Sequence, residues 1–239
     1  LLGDLEPEIA GWHFDSMVFM DETTIDKRLN WKLANDTFGE TYHFSRLHKR
    51  TLNNIFYGDA LHYETFGKNH RFTFPSRRID QLRDVPRDEW NITHGAVTLY
   101  YLFPNIQLIL GRGTVNLVKI YPDGTNPSRS ISKVGHYFSK RLLEAKEEAE
   151  AEGKEELAAE DAYNLEKVLT TLPDIKATSE VFDSTIEQED YVMGEGTQRA
   201  VESGALPYLI FGRNEPALHH MHKSYRTALG QPPLEEYRG

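Results

Sequence analysis

The strongest constraint on this chain is a series of short β-branched and aromatic runs, punctuated by turn residues, between Arg71 and Phe138. Arg71-Phe72-Thr73-Phe74, Ala96 to Phe103, Ile106 to Leu110 and Thr114 to Tyr121 each have the length and composition of a strand. Pro104-Asn105, Gly111 to Gly113 and Pro122-Asp123-Gly124 separate them. Proline fixes φ and glycine tolerates positive φ, so these are tight turns, and tight turns join antiparallel neighbours. The segment therefore reads as an antiparallel meander. Ser130 to Arg141 adds one more strand, and Trp12 to Met20 reads as a strand entering the same sheet.

Helices are expected on either side. Ile25 to His48 carries Leu29, Leu33, Phe38 and Tyr42 at helical spacing. Leu142 to Leu172 is rich in Ala, Glu, Lys and Leu, a helical or partly mobile composition. Phe182 to Glu202 and Asn214 to Leu229 read as two further helices, the last stopping before Gly230 and Pro232-Pro233. Helices at both ends around a central sheet make an α+β chain. With no internal repeat and no linker, residues 1–239 are expected to be a single domain.

Charge and cysteine usage exclude several function classes. The formal charge is −10, but residues 144–161 alone carry −7, so the rest of the chain is nearly neutral. The bland reading of that acidic stretch is a solvated face. No basic face suits nucleic acid. There is no cysteine, which rules out disulfides, thiolate zinc sites, cysteine nucleophiles and any iron–sulfur cluster held by these residues. No apolar run approaches the roughly 18 residues of a membrane span, and no secretory signal opens the sequence. A soluble cytoplasmic protein is expected. Leu1-Leu2-Gly3-Asp4-Leu5 lacks a native start, so an upstream region is expected to be missing.

The chemistry concentrates in Asn30-Trp31-Lys32-Leu33-Ala34-Asn35-Asp36-Thr37-Phe38-Gly39-Glu40-Thr41-Tyr42-His43-Phe44-Ser45-Arg46-Leu47-His48. Glu40 and His43, at i and i+3, share a helical face. His43 and His48 are five apart, which leaves side chains about 140° apart on an ideal helix. Both reach one metal only if the helix ends or bulges between them, and Phe44-Ser45-Arg46 is the place expected. A third, anionic ligand would complete a facial triad for Fe(II). Glu187-Gln188-Glu189-Asp190 offers a candidate far downstream. On spacing alone, structural histidines and a solvated acidic pair are the more common explanation of these residues.

The first of these segments resembles the iron-site signature of Rieske non-heme iron oxygenases: Asn-Trp-Lys, an acid, two residues, His, four residues, His. Glu189-Asp190, followed by Gln198-Arg199, is similar to the family's second segment, although Ala200-Val201 departs from its usual Gly-Leu. Phe211-Gly212-Arg213-Asn214-Glu215-Pro216 with His222 resembles its closing helix. The resemblance spans essentially the whole chain. It implies the helix-grip (START/Bet v 1-like) fold, a curved antiparallel sheet around long helices. It implies that His43, His48 and Asp190 bind a mononuclear Fe(II). Glu40 would bridge by hydrogen bonds to a Rieske-cluster histidine of a neighbouring subunit, where the family often has Asp. Asp36 stands where the family commonly has Asn.

The implied activity is O₂-dependent hydroxylation of an aromatic or related apolar substrate, by dioxygenation or monooxygenation. Electrons would come from NAD(P)H through a reductase or ferredoxin and a 2Fe–2S Rieske cluster in an N-terminal domain absent from this chain. A homotrimer, with or without a β subunit, is implied. The alternative is a metal-free helix-grip carrier of an apolar ligand; a zinc hydrolase using the same histidines fits less well.

Other residues admit bland readings. His219, His220 and His222 could form a second metal site, but the resemblance puts them in the terminal helix. Gly111-Arg112-Gly113 reads as a hairpin turn rather than a phosphate loop. His62, His70, His94 and His136 read as structural or exposed. Phe103, Leu108, Val115 and Leu117 either line a pocket or fill the core.

Overall fold

Alternating apolar residues and tight turns assemble one seven-stranded antiparallel sheet in the order β1-β7-β6-β5-β4-β3-β2. The computed structural model describes residues 1–90, 92–111, 113–153, 175–205 and 208–236. The strands are β1 (Met17–Lys27), β2 (His62–Phe66), β3 (Asn69–Pro75), β4 (Ala96–Leu102), β5 (Ile106–Leu110), β6 (Thr114–Asp123) and β7 (Asn126–Ser139). β3 to β7 form the expected meander, β2 extends it at one edge, and β1 closes the other edge against β7. Gly111 and Thr114 form the β5–β6 turn through an N–H···O bond of 3.0 Å, with Gly113 at φ +70°. Arg112 lies outside the described residues.

The helices are α1 (Glu6–Gly11), α2 (Trp31–Asp36), α3 (Ile92–Gly95), α4 (Lys140–Ala151), α5 (Ile175–Thr185), α6 (Tyr191–Glu202) and α7 (Pro216–Ala228). A π-helical turn, Ile186–Asp190, joins α5 directly to α6. The part of the expected Leu142–Leu172 helix beyond residue 153 lies outside the described residues. No described helix is long and apolar enough to cross a membrane.

Two expectations near the N-terminus need correction. Trp12 caps α1 and His13 takes positive φ, so the first strand starts at Met17 and continues past Met20 to Lys27. The helix expected over Ile25 to His48 is three structures: the end of β1, the short α2, and a 3-10 turn at Tyr42–Ser45. The helical spacing arose because Leu29, Leu33 and Phe38 all reach one core cluster from different local conformations.

Strand alternation sorts the sheet into two faces. One face presents Phe72, Phe74, Val97, Leu99, Ile109, Val118, Ile120 and Val134 to α2, the π turn, Tyr191 and Ala217. The other carries Tyr100, Leu108, Leu110 and Val115, covered by Leu5, Ile9 and Trp12. Burying each such side chain contributes roughly 1.5–3 kcal/mol. Leu108, Val115 and Leu117 therefore fill the core beneath the N-terminal helix, while Phe103 packs beside Tyr101 and Tyr225. Helices gripped on one face of a long antiparallel sheet make this an α+β, helix-grip fold.

Candidate metal centre

Two segments far apart in sequence build the centre. In the first, Asn30 caps α2 by accepting from the Lys32 N–H at 2.9 Å, and the helix stops at Asp36. The chain then runs through Gly39 into the 3-10 turn that carries His43. The Thr41 hydroxyl donates to the Gly58 carbonyl at 2.8 Å and pins this loop to the next one. A Cβ on Gly58 would run into the Thr41 carbonyl oxygen, so only glycine allows the approach. The His48 carbonyl accepts from the N–H groups of Thr51 and Asn53 at 3.1 and 3.0 Å, which fixes the turn behind it. Ending the α-helix before His43 is what lets two histidines five apart face one point.

The second segment is the π turn. Such widened turns are rare, and within helices they are frequent at functional sites. Here it delivers Asp190, only 8% exposed, against both rings. The Asp190 Oδ1 lies 3.0 Å from His48 Nε2 and 3.5 Å from His43 Nε2. One ligand atom from each of the three residues lies within 4.8 Å of the others. Among the described residues no other group of three such side chains is so placed. The Phe44 ring sits edge-on to both imidazoles, with Phe74 behind it, so the floor of the site is apolar.

The outward nitrogens are also occupied. His43 Nδ1 pairs with a Glu40 carboxylate oxygen, and the other Glu40 oxygen accepts the His43 backbone N–H at 3.2 Å. His48 Nδ1 lies 2.7 Å from Glu189 Oε2. A carboxylate only accepts, so both rings carry a proton on Nδ1 and turn Nε2 inward, towards Asp190. Burial disfavours the charged form of His43, yet Asp190 and Glu40 outweigh it and hold the ring up to about 9. Burial acts the same way on His48; Asp190 and Glu189 again prevail and raise it. A pocket that prefers protons this strongly is a pocket of excess negative charge, and a dication would replace those protons. Two imidazoles and one carboxylate on one side suit non-heme Fe(II), with positions left open.

The remaining sequence candidates disperse. The Glu40 side chain is 14% exposed, at the rim of the site rather than sealed in the core. Asp36 accepts from His222 Nε2 at 2.8 and 3.0 Å, so its charge ties α2 to α7. His219 bonds to the Gly212 carbonyl, and His220 to that of Gly67. The three terminal histidines thus point to three different partners. His62 is largely exposed, and His70 and His136 are buried among hydrogen-bond partners. The side chain of His94 lies outside those described. The contacts of Glu189 and Thr51 at His48 went unread in the sequence; an acid beside a candidate ligand was the only signal.

Residues 14–231 match the family described as ring hydroxylating alpha subunit (catalytic domain). No curated protein sequence matches the chain. Among solved structures, the quaternary ammonium Rieske monooxygenase CntA in complex with L-carnitine aligns with TM-score 0.59 and 12% identity, over 96% of this chain and 55% of that one. Naphthalene 1,2-dioxygenase with indole bound in its active site aligns with TM-score 0.54 and 12% identity, over 97% and 60%. The chain spans about half the length of the solved proteins it matches. At these identities the structural likeness establishes the fold, and the family match over most of the sequence establishes kinship: the chain belongs to the ring-hydroxylating alpha-subunit catalytic-domain family.

Proposed function

We propose that this chain is the oxygen-activating unit of a Rieske-type oxygenase, with His43, His48 and Asp190 holding a mononuclear Fe(II). The observation that carries the reading is the convergence of two inward Nε2 atoms and one carboxylate from segments 142 residues apart. A metal-free carrier has no need of that set. When bound, the iron supplies the redox centre at which O₂ is reduced and the substrate hydroxylated.

The protein's own work is orientation and electrostatics. Glu40 and Glu189 hold the two Nδ1 protons, so with a metal in place of the inward protons both imidazoles would present their Nε2 lone pairs to it. Asp190 supplies the compensating negative charge. Phe44, Phe56 and Phe74 form an aromatic cluster beside the rings, which limits water and suits an aromatic or related apolar substrate. Naphthalene dioxygenase with its bound indole supports that class, and the carnitine monooxygenase shows that the fold also serves a quaternary ammonium substrate. Dioxygenation and monooxygenation would use the same three ligands.

Electrons must enter from elsewhere, because this sequence has no cysteine to hold a 2Fe–2S cluster. In the proposed assembly they pass from NAD(P)H through a reductase or ferredoxin to a Rieske domain. A neighbouring subunit of a homotrimer, with or without a β subunit, would bring that domain to Glu40. Its carboxylate holds the His43 ring and backbone N–H, and the side chain is 14% exposed. A cytoplasmic location belongs to the same proposal.

Metal analysis after anaerobic Fe(II) loading tests the reading. The wild-type chain is expected to retain iron, and His43→Ala and Asp190→Ala to lose it; a chain that takes up none would refute it. In the full-length enzyme Glu40→Gln is expected to keep iron and slow turnover. Unchanged turnover would show that electrons enter by another route.

A further inference from the structure

We infer that Glu189, with Thr51, is the positioning residue that fixes His48 for the metal, an inference that rests on the iron site proposed above. Glu189 Oε2 receives two donors: His48 Nδ1 at 2.7 Å and the Thr51 hydroxyl at 3.0 Å. A carboxylate offers no proton, so Nδ1–H is held outward and Nε2 faces Asp190, where a metal would take the place of the proton shared with that carboxylate. Thr51 belongs to the same turn as His48, since its N–H donates to the His48 carbonyl at 3.1 Å. The hydroxyl therefore aims the carboxylate at the ring that shares its turn.

The geometry explains the π turn. Adjacent residues on an α-helix point about 100° apart. Within Ile186–Asp190, Glu189 and Asp190 nevertheless grip the two nitrogens of one imidazole. His43 gets the equivalent support from Glu40, three residues away in its own segment. His48 gets it from 141 residues away, so Glu189 also holds the two halves of the site in register before any metal arrives.

The test uses the full chain, titrated anaerobically with Fe(II) against a competing chelator. Glu189→Ala is expected to weaken binding about 10- to 100-fold, the usual effect of removing a residue that orients a ligand. Glu189→Gln keeps an acceptor for Nδ1 and is expected to recover part of the loss. Thr51→Val removes only the aiming hydroxyl and is expected to weaken binding by a smaller factor. Glu187→Ala, which loses only a partly exposed pair with Lys27, is the control and is expected to bind like wild type. With Co(II) as probe, the shifted, exchangeable Nδ1–H proton signal of His48 should persist in wild type and disappear by solvent exchange in Glu189→Ala. A merely structural ion pair would not move that signal. Wild-type affinity in both Glu189→Ala and Thr51→Val would overturn the inference; if Glu189→Ala does not fold, Thr51→Val decides alone. A wild-type chain that takes up no Fe(II) would instead overturn the iron reading beneath it.

Discussion

His48 and His136 look alike when each is considered by itself. They are 0% and 1% exposed, and both ring nitrogens of each are hydrogen-bonded. Each meets a carboxylate from the continuous helical run α5 to α6: Asp190 for His48, at 3.0 Å, and Asp183 for His136, at 2.9 Å. The surroundings separate them. The second partner of His136 is the Asn116 side chain, at 2.8 Å, directly across the ladder on β6. Its needs end there. At His48 a second imidazole, His43, aims its Nε2 at the same Asp190 oxygen. Two imidazole nitrogens converge on one anionic oxygen, and a cation bound there would take the place of the protons they share with it. Burial and full hydrogen bonding thus describe a structural histidine as well as a proposed ligand; a second imidazole on the same carboxylate oxygen is what separates the two.

The largest expected effect breaks the pair apart. His48→Ala should eliminate measurable Fe(II) binding in an anaerobic titration, whereas His136→Ala should leave it intact. His136→Ala should instead cost about 1–3 kcal/mol in denaturant unfolding, because Asp183 and Asn116 lose a buried partner. If both variants lost iron, the distinction would fail. Gly58→Ala should come next. The new methyl meets the Thr41 carbonyl, so the loop carrying His43 must shift, at about 1–3 kcal/mol of stability and with weaker Fe(II) binding.

A third buried histidine sharpens the contrast through pH. His70 is faced by Tyr63, Phe72, Tyr101 and His220, with no carboxylate among them. Burial, reinforced by His220, pushes it down to about 3. Between an unfolded value of about 6.5 and that lowered one, the unfolded chain binds a proton that the folded chain refuses. The contribution is therefore complete above about pH 6.5 and is lost progressively as the pH falls toward 3. Denaturation midpoints of the wild type should decline over that window, and His70→Phe should flatten the decline; an unchanged slope would show that His70 accepts the proton in the folded state. The smallest effect is expected for Tyr191→Phe. It removes the 2.7 Å bond to Ser132 beside Asp190 and should cost about 0.5–1.5 kcal/mol while leaving Fe(II) affinity unchanged.

The comparison also shows what a sequence can carry. The meander from β3 to β7 was readable because β-branched runs and tight turns are local signals, and β5 falls on Ile106–Leu110 as expected. β2 went unread: it is a five-residue edge strand whose His62 and Thr65 face solvent, so it lacks an apolar run. The Ile25–His48 region misled because three different conformations feed one core, and their spacing mimics a single helix. The signature around His43 and His48 stood out as a motif. The roles of Glu189 and Thr51, and the π turn that makes them possible, depend on contacts more than 130 residues apart and leave no local pattern.

The central claim is that three side chains from two distant segments hold one iron. Iron-edge anomalous diffraction from crystals loaded anaerobically with Fe(II) tests it most directly. The account predicts a single strong peak about 2.0–2.2 Å from His43 Nε2, His48 Nε2 and an Asp190 carboxylate oxygen, a normal range for nitrogen and oxygen ligands. Contradiction would be a peak at another histidine cluster such as His70–His220, or an Asp190 turned away from both rings with no peak between them.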